Sequence, residues 1–132
     1  MSVTLTDQDK LTLQTAAHGA VWLMSATGKA HRAAVDGSMA LASATGLVGH
    51  VLAEKPKGMY LNSKSVAVLA DQVLPALTAA MGLLKKQDPA EADNFRSTVV
   101  VAVEAAARTH KGEPGPAVAD MIRKITAALD AA

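Results

Sequence analysis

The chain has 132 residues and a mass of 13.5 kDa, enough for one hydrophobic core and too little for two, so a single domain over residues 1–132 is predicted. A formal net charge of +1 and an aromatic content of 2% provide neither the field nor the stacking surfaces that nucleic-acid binding requires. The absence of cysteine excludes disulfides, thiol catalysis and thiolate metal sites.

The first two predicted helices occupy the N-terminal half. Thr6 and Asp9 have the spacing of a loosened capping box, and apolar residues at helical spacing then predict a helix over residues 7–27. Small and apolar residues from 35 to 53 mark one face of a second helix, which Pro56 must end. On that helix Gly46 and Gly49 fall on one side, which predicts close approach of another backbone.

The third helix carries the cleanest apolar stripe in the chain. Ser63 or Ser65 is the predicted N-cap, and the stripe continues in phase to Leu84. Pro75 falls inside it and removes one backbone donor, so the helix is expected to bend near residues 70–71 and to continue.

The last two helices have clear ends. Asp88 is a preferred N-cap, Pro89 suits the first turn, and Glu91 complements the positive end of the helix dipole, which predicts a fourth helix over residues 89–110. Its apolar circumference marks it as the central helix, and Pro116 opens a fifth. No segment alternates with period two. The predicted fold class is all-α, a single-domain antiparallel bundle of about five helices.

The predicted core is rich in alanine and poor in aromatic residues. Such a core buries little apolar area per side chain and is expected to be thin for the length of the chain. Pairing with a second copy would add buried area, so a homodimer is the expected assembly.

Four residues are candidates for a ligand site or an interface. His18, Trp22 and Ser25 lie on a face of the first helix that differs from its core stripe, and Tyr60 lies in the connection that precedes the third helix. Trp22 could pack against the loop around Tyr60 as a satellite core, anchor a subunit interface, or form the wall of a small pocket.

Catalytic and metal motifs are not recognisable. No nucleophile stands in a strand-to-helix elbow, and no phosphate-binding glycine loop is present, so an enzymatic role is uncertain and disfavoured. The histidine spacing argues against a metal site, although His50, Glu54 and His110 could reach one end of the bundle. No cofactor is expected.

The N-terminal segment predicts a soluble, cytoplasmic protein. Asp7 and Asp9 precede the first apolar segment, whereas a secretory signal begins with basic residues. The longest apolar segment is taken to be residues 38–53, which is too short to span a bilayer. Neither a membrane nor a nucleic acid is an expected partner.

The sequence favours a non-enzymatic helical protein that self-associates and acts through protein contacts. A small-ligand carrier or sensor, with a pocket between the first three helices near Trp22 and Pro75, is the alternative. No motif assigns the chain to a family or identifies its ligand, partner or biochemical role.

Overall fold

A computed structural model describes residues 5–28, 39–41, 44–53, 65–107 and 116–132 of the chain. These residues form five helices and contain no strand, with one further short helical segment at 39–41. The all-α bundle is therefore confirmed. The helices are α1 (Asp7–Gly28), α2 (Gly46–Ala53), α3 (Val66–Gln87), α4 (Pro89–Ala107) and α5 (Pro116–Asp130).

Three of the predicted helix starts have the expected caps. The Thr6 backbone N–H donates to an Asp9 carboxylate oxygen at 3.1 Å, and the Asp9 N–H donates to the Thr6 hydroxyl at 3.0 Å, which is a reciprocal capping box. Ser65 is the cap of α3, since its hydroxyl accepts the Val68 N–H. Asp88 accepts the Ala90 N–H at the start of α4. Polar side chains thus satisfy backbone donors that the helices leave unpaired.

The pairing of α1 with α3 is the most extensive helix contact in the described part of the chain. Gly19 lies against Val73, and a Cβ atom at position 19 would be 2.6 Å from Val73 Cγ2. Earlier residues of α1 lie beside later residues of α3, around Ala76 and Ala79, so the two helices are antiparallel. A glycine at the contact lets the helix axes approach closely.

The other helices complete the bundle around this pair. The Thr78 hydroxyl of α3 donates to the Ala128 carbonyl of α5 at 2.7 Å, and Arg96 of α4 forms a two-pronged ion pair with Asp130. The central position predicted for the fourth helix is shared, because α1 and α4 each contact all four other described helices. α1 is buried around more of its circumference, whereas Val101 of α4 is exposed.

The described part of the core contains large side chains as well as small ones. Alanines contribute as predicted, among them Ala16, Ala20 and Ala102, but leucines are equally prominent and Phe95 is fully buried. The buried leucines are Leu13, Leu23, Leu41, Leu52, Leu69, Leu77, Leu84 and Leu129. The identities of the buried residues do not measure the predicted thinness of the core, so the case for self-association rests on the surface.

The predicted second helix is broken. Residues 44 and 45 are not helical, and α2 begins at Gly46, whose φ of 73° lies in the left-handed region that glycine tolerates. The predicted close approach at Gly49 is made by the preceding backbone, because a Cβ at that position would collide with the Ala44 carbonyl. Gly46 and Gly49 are thus needed for the bend of the backbone into α2, and not to let another helix pack against α2.

Pro75 lies inside α3, and the helix continues through it as predicted. The in-phase apolar stripe explains this, because Val73, Leu77, Ala80 and Leu84 are all buried on one side of the helix. Burial of a continuous face outweighs the one backbone hydrogen bond that proline removes.

Candidate functional site

The face of α1 that is turned away from its core residues carries Leu11, Thr15, His18 and Trp22, which we call the outer stripe. These residues recur every three or four positions and are exposed or half-buried, whereas Leu13, Ala16, Ala17, Ala20 and Met24 are buried behind them. α3 borders this stripe on one side and α2 on the other. The stripe therefore forms the floor of a surface between two helices.

Trp22 is the most prominent residue of the outer stripe. It is the single tryptophan of the chain, and 44% of its surface is exposed. Since Gly19 lies opposite Val73 in an antiparallel pair, Trp22 lies at the level of residue 70, within one turn of Val68. Val68 is itself 38% exposed. Two large apolar side chains are thus accessible at one end of the α1–α3 pair.

A groove of about 360 Å³ lies between α1 and α3 nearer the start of α1. Its walls are Gln8, Leu11, Thr12 and Thr15 of α1 and Pro75, Ala76 and Ala79 of α3. This open groove lies beside Pro75, and Trp22 is not part of its lining. The ligand pocket predicted between the first three helices, near Trp22 and Pro75, stays a prediction. The walls of the groove are apolar and also carry hydroxyl and amide groups. The groove has room for one ring-sized side chain.

His18 has an unusual environment on the same stripe. Its Nε2 atom is buried and has no hydrogen-bond partner in the part of the chain that the structure describes. Burial lowers the pKa of His18 below its ordinary value, and a hydrogen bond with the backbone of Leu52 opposes part of that decrease. The neutral imidazole is therefore favoured in the folded protein.

Side chains from other helices hold α2 at both ends. The buried Gln14 amide of α1 donates to the Val51 carbonyl at 3.1 Å, next to the bond between His18 and Leu52. At the opposite end, the Glu91 carboxylate of α4 accepts the Leu47 and Val48 N–H groups at 3.3 and 3.4 Å. Glu91 thus acts as an N-cap for a helix 44 residues away from it.

Three of the four predicted site residues fall on one helix. His18 and Trp22 belong to the outer stripe. Ser25 follows Trp22 by three residues, about one helical turn, and is half-buried. Tyr60 lies outside the described residues, so its predicted contact with Trp22 stays a prediction. Sequence reasoning missed Val68, Gln14 and the contact of Glu91 with α2, because these roles depend on contacts between helices that are distant in the chain.

A second shallow groove, of about 280 Å³, lies on another side of the molecule. Its walls include Ala40, Ala44, Ser97, Thr98 and Val101. Val101 is 51% exposed, and Met39 beside the groove is also exposed.

No group of three or more metal-ligating side chains occurs within the described ranges. Of the residues considered for a metal at one end of the bundle, His50 is exposed, and both Glu54 and His110 lie outside those ranges.

α3 is the one described helix that is long and apolar enough to cross a membrane by length and composition. It was not the segment that the sequence singled out. Six of its residues, among them Leu69 and Leu77, are buried against the other helices of the bundle. A core helix passes the same test of length and composition, so this property does not identify a membrane protein.

Comparison with known proteins gives no relative for this chain. No family model, curated protein or solved structure matches it.

Proposed function

We propose that this chain is a non-enzymatic helical protein that acts through protein contacts and associates with a second copy of itself. The surface assigned to this role, the α1–α3 face, consists of the outer stripe together with Val68, Pro75, Ala76 and Ala79 of α3. The observation that carries the proposal is the exposure of Trp22 on this face. Tryptophan is among the residues most often found as energetic anchors of protein interfaces.

The distribution of charged residues on this face supports a protein partner over a nucleic acid. From Leu11 to Gly28, α1 has no aspartate, glutamate, lysine or arginine, and Asp71 is the single charged residue of α3 before Lys85. Asp71 precedes Pro75 by one turn and therefore lies on the same side of α3 as Pro75. A surface with a single charged residue is depleted of charge, as the centres of protein interfaces are, and it lacks the basic groups that bind nucleic acid.

A cytoplasmic location and the absence of a membrane partner remain part of this proposal. The apolar stripe of α3 is turned toward the bundle, where Leu69, Val73 and Leu77 are buried, so insertion into a bilayer would require the bundle to open. Flotation with lipid vesicles tests this point, and recovery of the protein with the vesicles would contradict it.

Trp22 fluorescence across a dilution series tests the proposed association, because the chain has no other tryptophan. We expect the emission to move to shorter wavelength as concentration rises, in parallel with an increase in particle mass. Val68→Lys places a charge on the face and should abolish both changes. Val101→Lys is the control, since Val101 is an exposed valine outside the face, at 51% against 38% for Val68.

Two results would oppose the proposal. An emission spectrum that is insensitive to concentration while the particle mass changes would remove Trp22 from the interface. Blue-shifted emission in a particle that stays monomeric would favour coverage of Trp22 by its own chain, as in the satellite-core alternative around Tyr60.

The small-ligand alternative retains one specific observation, the buried Nε2 atom of His18, for which the described residues provide no hydrogen-bond partner. A buried polar atom without a partner is costly, and a ligand group could satisfy it. Native mass spectrometry of the purified protein tests for a bound molecule. A mass of the polypeptide alone, with no additional species, would argue against a carrier.

A further inference from the structure

We propose that the Trp22 indole of each copy inserts into the groove between α1 and α3 of the other copy, in a twofold antiparallel pairing. This inference rests on the proposed function, because it specifies how the α1–α3 face would bind itself. It pairs a projecting ring with a recess that the same surface provides, which is the self-complementarity that a twofold interface requires.

The positions of the ring and the groove along α1 suit a twofold axis. The groove walls on α1 run from Gln8 to Thr15, with their midpoint near Thr12, and Trp22 lies ten residues further along the helix. At 1.5 Å per residue the separation is about 15 Å. An axis perpendicular to α1 at the level of residue 17 therefore places Trp22 of each copy opposite the groove of the other, so one operation forms both contacts.

The groove matches an indole in size and chemistry. Its volume of about 360 Å³ is at the small end for ligand pockets, which suits a single side chain. Leu11, Pro75 and Ala79 supply apolar contact for the ring. The indole N–H needs an acceptor when it is buried, and Gln8, Thr12 and Thr15 carry side-chain oxygens in the walls.

The size of the face supports a second copy as the occupant. Two adjacent helices of 22 residues outline an area about 33 Å long and 18 to 20 Å wide, roughly 600 Å². This reaches the lower bound for a stable interface, about 600 Å² per partner. The face also carries few charges, since α1 has none from Leu11 to Gly28 and Asp71 is the single one of α3 before Lys85, so like-charge repulsion between two copies is limited.

A pair of surface variants tests the arrangement. Trp22→Ala removes the ring, and Ala79→Phe fills the groove while leaving Trp22 as the single tryptophan. Each variant alone loses both contacts, so we expect each to weaken self-association by about thirtyfold or more, the effect typical of an interface anchor. Ala119→Phe, which changes an exposed alanine on α5, is the matched control and should associate normally.

Mixing the two variants gives the decisive result. The copy with Trp22→Ala keeps an open groove, and the copy with Ala79→Phe keeps its ring, so a mixed dimer restores one of the two contacts. We expect a mixed dimer in sedimentation velocity and, because only the Ala79→Phe copy contains tryptophan, a blue shift of its emission on mixing.

The possible failures are distinguishable. If the unmodified chain is monomeric, the proposed function fails and this inference fails with it. If the unmodified chain forms a dimer that either variant leaves intact, or if both variants are monomeric and mixing restores nothing, the proposed self-association stands and the insertion of Trp22 into the groove is overturned.

Discussion

Gly19 of α1 packs directly on the Val73 side chain of α3, so closely that a Cβ atom at position 19 would lie 2.6 Å from Val73 Cγ2. Val73 is completely buried. Because a β-branched side chain has little rotameric freedom in a helix, Val73 cannot readily turn away. This contact fixes the distance and the register between the two helices that form the proposed interaction face.

Gly19→Ala is expected to destabilise the protein by about 1 to 2 kcal/mol, since overpacking outweighs the gain of about 1 kcal/mol in helix propensity. Gly82→Ala is the matched control. A Cβ at position 82 of α3 meets nothing within 4 Å, so this variant should be more stable by about 0.5 to 1 kcal/mol. Urea denaturation measures both effects, and equal stabilisation by the two variants would show that the Gly19 contact tolerates a methyl group.

Glu91→Ala should destabilise the protein by about 1 kcal/mol, because it removes the acceptor for the Leu47 and Val48 N–H groups at the start of α2. Asn94 donates to both Glu91 and the Thr45 carbonyl, so the loss also loosens this junction. Glu104→Ala changes an exposed glutamate of the same helix and should have little effect in urea denaturation. Equal losses for the two variants would contradict capping of α2 by Glu91.

Stability should fall as the pH decreases below about 6.5, the ordinary pKa of histidine. Burial lowers the pKa of His18 in the folded state, so the unfolded chain binds protons first and becomes favoured as the pH falls toward the lowered folded-state value. The ion pairs lower the pKa of Asp120 and Asp130, so their contribution to stability is lost only at more acidic pH, below about 4.

The measurement for His18 is the free energy of unfolding between about pH 5 and 7 for the unmodified chain and for His18→Gln. The difference between the two proteins isolates His18 from the other histidines. We expect the variant to lose part of the pH dependence in this range. Identical pH profiles would mean that His18 titrates normally in the folded protein.

The elements with local signals could be predicted from the sequence. The caps Thr6, Ser65 and Asp88 act on backbone groups two or three residues away, and the apolar stripe around Leu77 repeats with helical period, so neighbouring residues contain the needed information. The position of Trp22 away from the core face followed from the same periodicity.

The remaining features depend on contacts between distant segments. The break before Gly46 was missed because the flanking residues have helical periodicity, while the left-handed turn is stabilised by Glu91. The groove at Pro75 could be anticipated near the proline, but its walls depend on the register that Gly19 and Val73 set. Composition also does not show which leucines become buried.

Sedimentation equilibrium of the unmodified chain, from low to high micromolar concentration, tests the central claim most directly. The account predicts a reversible increase in mass from 13.5 kDa to twice that value as concentration rises. A mass of 13.5 kDa at every concentration would contradict it.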